Sequence, residues 1–195
     1  MGKIKYIDSI RKFFDESAIV DIESLKKFIK KKDKRYVHTV INFLLKKKEI
    51  NQITRGFYSK YDDPTLAVFC FKPSYLGVQD ALSFHNLWEQ ETIPIIVTTR
   101  KVRQGIREVF GVNVMIKRIN RKYFFGFEYY KEGDFYFPYS DIEKTFIDMV
   151  YFRQPLDKEV ILEFKKRIDR KKLKDYLERY PDRFRIKAER VFRHA

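Results

Sequence analysis

The first sixty residues carry three successive helical hydrophobic periods and then switch to an alternating one, and this succession constrains the fold more than any other feature of the chain. Ile4, Ile7, Ile10, Arg11 and Phe14 recur at helical spacing, which predicts an amphipathic helix from Lys3 to about Phe14. Ile19 and Val20 form a short extended step. Asp21 is placed as the N-cap of a second helix with Ile22, Leu25, Phe28 and Ile29 on one face. After the polar break Lys30-Lys31-Lys32-Asp33, the residues Val37, Val40, Ile41, Leu44 and Leu45 fall on one strip of a third helix, ending near Lys48. Two short alternating runs over 49–53 and 56–60, joined through Thr54-Arg55-Gly56, read as a β-hairpin. Three helices followed by a hairpin are the order of a winged helix-turn-helix, expected as a domain over residues 1–61.

Charge reinforces that division. The 195 residues hold 42 Lys and Arg against 27 Asp and Glu, a formal charge of +15, which suits a polyanionic partner. Residues 1–60 are net +9, residues 61–164 net −2 and residues 165–195 net +8. The positive ends and near-neutral middle fit a basic binding module followed by a second domain over 62–195 that finishes in a basic helical tail. The tail itself reads as solvated helix faces. No window approaches a membrane-spanning helix, and the first residues lack the apolar stretch of a signal peptide, so a soluble cytoplasmic chain is expected, with no membrane partner. The single cysteine, Cys70, lies in the apolar run Leu66–Phe71 and reads as a small buried hydrophobe.

With the inner strip of the third helix buried, its opposite face presents Arg35, Thr39, Asn42 and Lys46, flanked by Lys34, Tyr36 and His38. Arg pairs with guanine and Asn with adenine in the major groove, while Thr, Tyr and Lys hold phosphates. Arg55, beside Gly56 in the hairpin turn, is placed for a backbone or minor-groove contact, and Lys60 ends the hairpin. These nine residues form the expected surface for double-stranded DNA.

Asp62-Asp63-Pro64 is the expected boundary, with Asp63 capping a helix opened by Pro64. Leu66–Phe71 and Gly77–Leu87 read as two helices separated by a turn at Pro73-Ser74-Tyr75. Thr92–Thr99 is expected as a central strand, followed by strands at Val112–Ile119, Tyr123–Tyr130 and Phe135–Pro138. Ser140-Asp141-Ile142-Glu143 has the form of a capping box, opening a helix with Phe146, Ile147, Met149 and Val150 inward. From Asp157 the chain reads as two or three basic helices broken at Pro181. The fold class is α+β: a winged helix-turn-helix, then a mixed α/β domain with a small sheet and a helical tail.

Several local motifs resemble the AbiEi antitoxin family of abortive-infection regulators. They are Arg55-Gly56-Phe57-Tyr58, Pro73-Ser74-Tyr75-Leu76-Gly77, Ala81-Leu82-Ser83-Phe84-His85-Asn86-Leu87, Val97-Thr98-Thr99-Arg100, Phe125-Gly126-Phe127-Glu128 and Glu143-Lys144-Thr145-Phe146-Ile147-Asp148. Together with the order of elements before them, the resemblance covers roughly residues 5–155, in the family's order. Asn86 stands where Gly is usual and Gly77 where Ser is common, and the tail beyond Asp157 matches no motif. The resemblance implies a repressor of its own operon that opposes a nucleotidyltransferase-like toxin without necessarily binding it.

Chemistry elsewhere is sparse. His38, His85 and His194 are scattered, the lone cysteine has no partner at ligand spacing, and Gly105 and Gly111 are isolated, so no metal, cofactor or catalytic site is expected. Two alternatives stand beside the regulator. One is a magnesium-dependent nuclease using some of Glu128, Glu132, Asp134, Asp141, Glu143 and Asp148. The other is a winged helix that docks a protein. Against the first, Glu143 reads as the capping-box partner of Ser140, and Lys144 with Asp148 as an i, i+4 pair on the helix surface.

Overall fold

A computed structural model of the chain describes residues 7–29 and 34–193; for Lys34 and Arg35 it describes the backbone only. The expected polar break at 30–33 and the start of the first helix at Lys3 lie outside the described residues. The chain divides into two compact units: residues up to Cys70 together with Glu108–Val112, and Phe71–Arg107 together with Asn113 onward. Among the described residues no helix is long and apolar enough to cross a membrane.

The first unit runs α1 (Ile7–Asp15), β1 (Val20–Asp21), α2 (Ile22–Ile29), α3 (Lys34–Lys46), β2 (Asn51–Thr54) and β3 (Phe57–Ser59). Asp21 caps α2, accepting from the amides of Glu23 and Ser24 at 2.9 Å each and from the Ser24 hydroxyl at 2.6 Å. The helix α3 ends at Lys46, two residues earlier than its periodicity suggests, because Lys48 turns left-handed at φ 55. The amide of Glu49 then bonds back to Leu44 and that of Lys48 to Leu45, which satisfies the last carbonyls of the helix. The strands form an antiparallel sheet in the order β1-β3-β2, with Tyr58 between Val20 and Gln52. Ile10, Phe14, Leu25, Ile29, Val37, Val40, Ile41 and Leu44 make one core with Val20 and Tyr58. Arg11, expected on the inward stripe of α1, grips both oxygens of Glu49 at 2.7 and 2.8 Å, tying α1 to the segment after α3.

Asp63 accepts from the Thr65 amide at 2.8 Å and begins the apolar helix over Pro64–Phe71, which is of the tighter 3-10 form. Cys70 is buried within it.

From Phe71 onward the chain holds β4 (Ser74–Leu76), α4 (Gln79–Phe84), β5 (Ile95–Thr98), β6 (Gly105–Val109), β7 (Val112–Arg118), β8 (Phe127–Glu132), β9 (Phe135–Ser140) and the helices α5 (Ile142–Tyr151), α6 (Lys158–Arg167), α7 (Arg170–Leu177) and α8 (Asp182–Arg193), all in the second unit except Glu108 and Val109 of β6 and Val112 of β7. Its sheet is larger than the sequence suggests: six strands, in the order β6-β7-β5-β4-β9-β8. It is mixed, with β4 antiparallel to β5 but parallel to β9, and β5 parallel to β7. Two strands escape the sequence reading. The expected turn at Pro73-Ser74-Tyr75 is instead the start of β4, whose three residues are too few to show a period and are held by pairing to Val97 and Tyr139. The edge strand β6 alternates only between intermediate and exposed positions up to Val109. The strand expected from Tyr123 starts at Phe127, since Arg121–Tyr123 closes a short turn capped by Asn120.

The helix α5 packs on β9, α4, α6, α7 and α8, and every residue from Glu143 to Val150 is buried. Phe146, Ile147, Met149 and Val150 enter the main core with Tyr75, Val97, Phe164, Leu173 and Leu177. The N-cap is Asp141, not Ser140: its carboxylate accepts from the Lys144 amide at 2.7 Å, while the Ser140 hydroxyl, still on β9, lies 2.8 Å from that of Thr145. Glu143 reaches away from the cap and accepts from the Asp169 amide at 2.8 Å. The expected basic tail is three helices, α6 to α8.

Candidate nucleic-acid interface

The helix α3 separates its sides sharply. Val37, Val40, Ile41 and Leu44 are between 0 and 1% exposed, whereas His38, Thr39, Asn42 and Lys46 face water. Thr39, Asn42 and Lys46 follow at i, i+3 and i+7 and so form one strip within about 60° of the helix surface. Tyr36 is half-buried and packs on the core of the unit. Lys34 and Arg35 open the helix, and their side chains lie outside the described residues.

Arg55 and Gly56 make the two-residue turn between β2 and β3, with Gly56 at φ 83, a conformation glycine takes without strain. Arg55 is exposed at that tip. Lys60 is also exposed, but its ammonium is bound to the Asp15 carboxylate at 2.6 Å, which holds it above the ordinary lysine range and commits it to an internal pair. Lys47 and Lys48, directly after α3, and Gln52 on β2 are exposed too and are absent from the nine residues expected. The signal for the lysines was the basic run ending the helix, treated there as a terminus rather than a surface.

The acidic residues of the nuclease alternative divide into two groups. Glu128, Glu132 and Asp134 are exposed on β8 and its turn, with Glu132 accepting from the Tyr139 hydroxyl at 3.0 Å. The α5 carboxylates are engaged by protein donors. Asp141 accepts from the Tyr176 hydroxyl at 2.8 Å and pairs with Lys172 at 3.2 Å; Glu143 pairs with the same lysine at 3.1 Å. Asp148 accepts from Lys144 and, at 2.7 Å, from the Tyr75 hydroxyl. Lys144 and Asp148 are therefore not the surface pair their spacing suggests, because α5 is enclosed on all sides. Among the described residues no group of three or more His, Cys, Asp and Glu is placed to hold a metal ion. His85 is half-buried with Nε2 2.7 Å from the Ser140 carbonyl, and burial holds its pKa below the ordinary value.

The motif blocks of the second unit converge on α5. Tyr75 meets Asp148, Gly126 lies against Lys144, and His85 bonds the carbonyl that precedes the helix. The Thr98 hydroxyl donates toward the carbonyls of Phe71 and Pro73. Asn86 has φ 51 and ends α4, with its amide bonded to Ser83 and that of Leu87 to Leu82, a left-handed position that Asn tolerates nearly as Gly does. These residues bind one another and form a packing constellation rather than an open site. Comparison of the chain with protein-family models gives no match, and comparison with curated proteins gives none, so the family resemblance stands on its sequence motifs alone.

Proposed function

We propose that this chain is a cytoplasmic DNA-binding regulator whose first unit acts as a winged helix, with α3 in the major groove and the β2–β3 turn as the wing. The observation that carries the reading is the exposed strip Thr39, Asn42 and Lys46 on a helix whose opposite side is wholly buried. The exposed Arg55 and the net +9 of residues 1–60 support it, since phosphate neutralisation supplies most nucleic-acid affinity. Asn42 and Arg35 read bases, Thr39, Lys46 and Arg55 hold phosphates, and Lys60 contributes less because Asp15 already neutralises it. The resemblance to AbiEi antitoxins extends the proposal: the DNA is the chain's own operator, and the second unit opposes a nucleotidyltransferase-like toxin.

A gel shift on the chain's own upstream DNA against scrambled DNA, at low and high salt, tests this. Retention of the upstream fragment alone at high salt supports a self-regulating repressor. Equal, salt-labile binding of both fragments refutes it.

A further inference from the structure

The second unit carries two surfaces of opposite charge, each with an exposed apolar residue. One is a groove between the segment following α4 and the helix α6, walled by Trp88, Glu89, Asp157, Glu159, Leu162 and Glu163. Glu163 is paired with Lys166 at 2.6 Å. Glu89, Asp157 and Glu159 are exposed and have no cationic partner among the described residues, and Asp157 makes no capping bond although it precedes α6. Leu162, which lines the same groove, is 47% exposed.

The other surface is on α8. Arg183, Ile186, Lys187 and Arg190 fall within about 100° of the helix surface. Ile186 is 56% exposed at one edge of this strip, and the three cations beside it have no carboxylate partner among the described residues. Arg185, outside the strip, is the residue that pairs with Asp182, at 2.9 Å. Three unpaired carboxylates and an exposed leucine thus match three unpaired cations and an exposed isoleucine, on a chain whose overall +15 otherwise makes copies repel.

The geometry points to self-association, in which the groove of one copy receives α8 of a second: Ile186 against Leu162 and Trp88, with Arg183, Lys187 and Arg190 facing Glu89, Asp157 and Glu159. The contact is isologous and closes as a dimer where a two-fold axis makes it twice, and heterologous, building a ring or an open chain, where none does. It rests on the second unit and stands whether or not α3 reads DNA.

Sedimentation velocity of the full chain over a range of concentrations tests it with two charge reversals, Asp157→Lys with Glu159→Lys, and Arg183→Glu with Lys187→Glu. All four positions are exposed, and circular dichroism verifies that the variants fold. The wild type is expected to exceed monomer mass, each reversal to raise the dissociation constant at least about tenfold, and an equimolar mixture of the two to recover association. A wild type that stays monomeric overturns the proposal, as does association indifferent to both reversals. Loss on reversing the groove but not α8 also overturns it, and assigns the groove to a different basic segment.

Discussion

Lys144 and Asp148 face each other one turn apart along α5 with both side chains wholly withdrawn from water. The Tyr75 hydroxyl donates to the second carboxylate oxygen at 2.7 Å, and the ammonium lies 5.6 Å from the Tyr75 ring centre and 5.4 Å from that of Phe125. Burial pushes the Lys144 pKa down and that of Asp148 up, and the attraction between the two opposes both shifts. Removing one partner strands the other in a dry interior. Lys144→Met or Asp148→Leu alone is expected to cost about 3–5 kcal/mol, whereas Lys144→Met, Asp148→Leu and Tyr75→Phe together cost far less than the sum. Urea denaturation of the series measures this, and additive losses would contradict the pairing.

Asp80 lies in the first turn of α4, and its carboxylate accepts from the Ile95 amide at 3.1 Å. Burial pushes its pKa up to about 7, against the lowering by that amide and with added repulsion from Glu132. A folded-state value above the unfolded one means that the native chain binds the extra proton. The stabilisation is complete below the unfolded value near 3.8 and is lost as pH rises through about 7. Wild-type stability should therefore decline from pH 5 toward neutrality by at most about 1.4 kcal/mol per pH unit, and Asp80→Asn should flatten the decline. Thermal denaturation at pH 5, 6, 7 and 8, buffer values spanning roughly the titration range, checks it; identical slopes for both proteins would count against it.

Gly126 has φ +71, and a Cβ built there would lie 2.9 Å from Cβ of Lys144 and 2.8 Å from the Tyr176 ring. The Gly126 carbonyl also accepts from the Asp141 amide at 2.9 Å. Gly126→Ala combines a strained backbone with a clash against α5 and is expected to cost about 1–3 kcal/mol or more. Gly133→Ala is the comparison: its φ is also positive, at +57, but nothing lies within 4 Å, so it pays the backbone term alone. Equal losses at the two positions would remove the packing argument.

Asn42 and Lys46 should separate in their effects on DNA. Asn42→Ala is expected to lower affinity for the specific site by about 1–3 kcal/mol with little change on scrambled DNA. Lys46→Ala should weaken both alike and reduce the salt slope by about 1. Neither should shift stability by more than about 0.5 kcal/mol, because both side chains are exposed. Fluorescence anisotropy titrations at several salt concentrations distinguish the patterns.

The first unit was largely legible because its determinants are local. The apolar strip of α3 is thirteen residues of consistent period, Asp21 bonds to amides two and three residues on, and Arg55-Gly56 is a turn made by its own backbone preference. The inward residues of α5 and the three basic helices were readable for the same reason.

Sequence by itself determined which segments are amphipathic and where charge accumulates; tertiary structure decided what each polar group meets. The strand β4 exists because Tyr75 pairs with Val97 and Leu76 with both Ile96 and Tyr139, partners twenty or more residues away, and three residues cannot announce that. Likewise the i, i+4 spacing of Lys144 and Asp148 established that they meet, but only enclosure of α5 by its neighbours took the pair out of water. Spacing is a property of one helix, while burial is a property of everything packed around it.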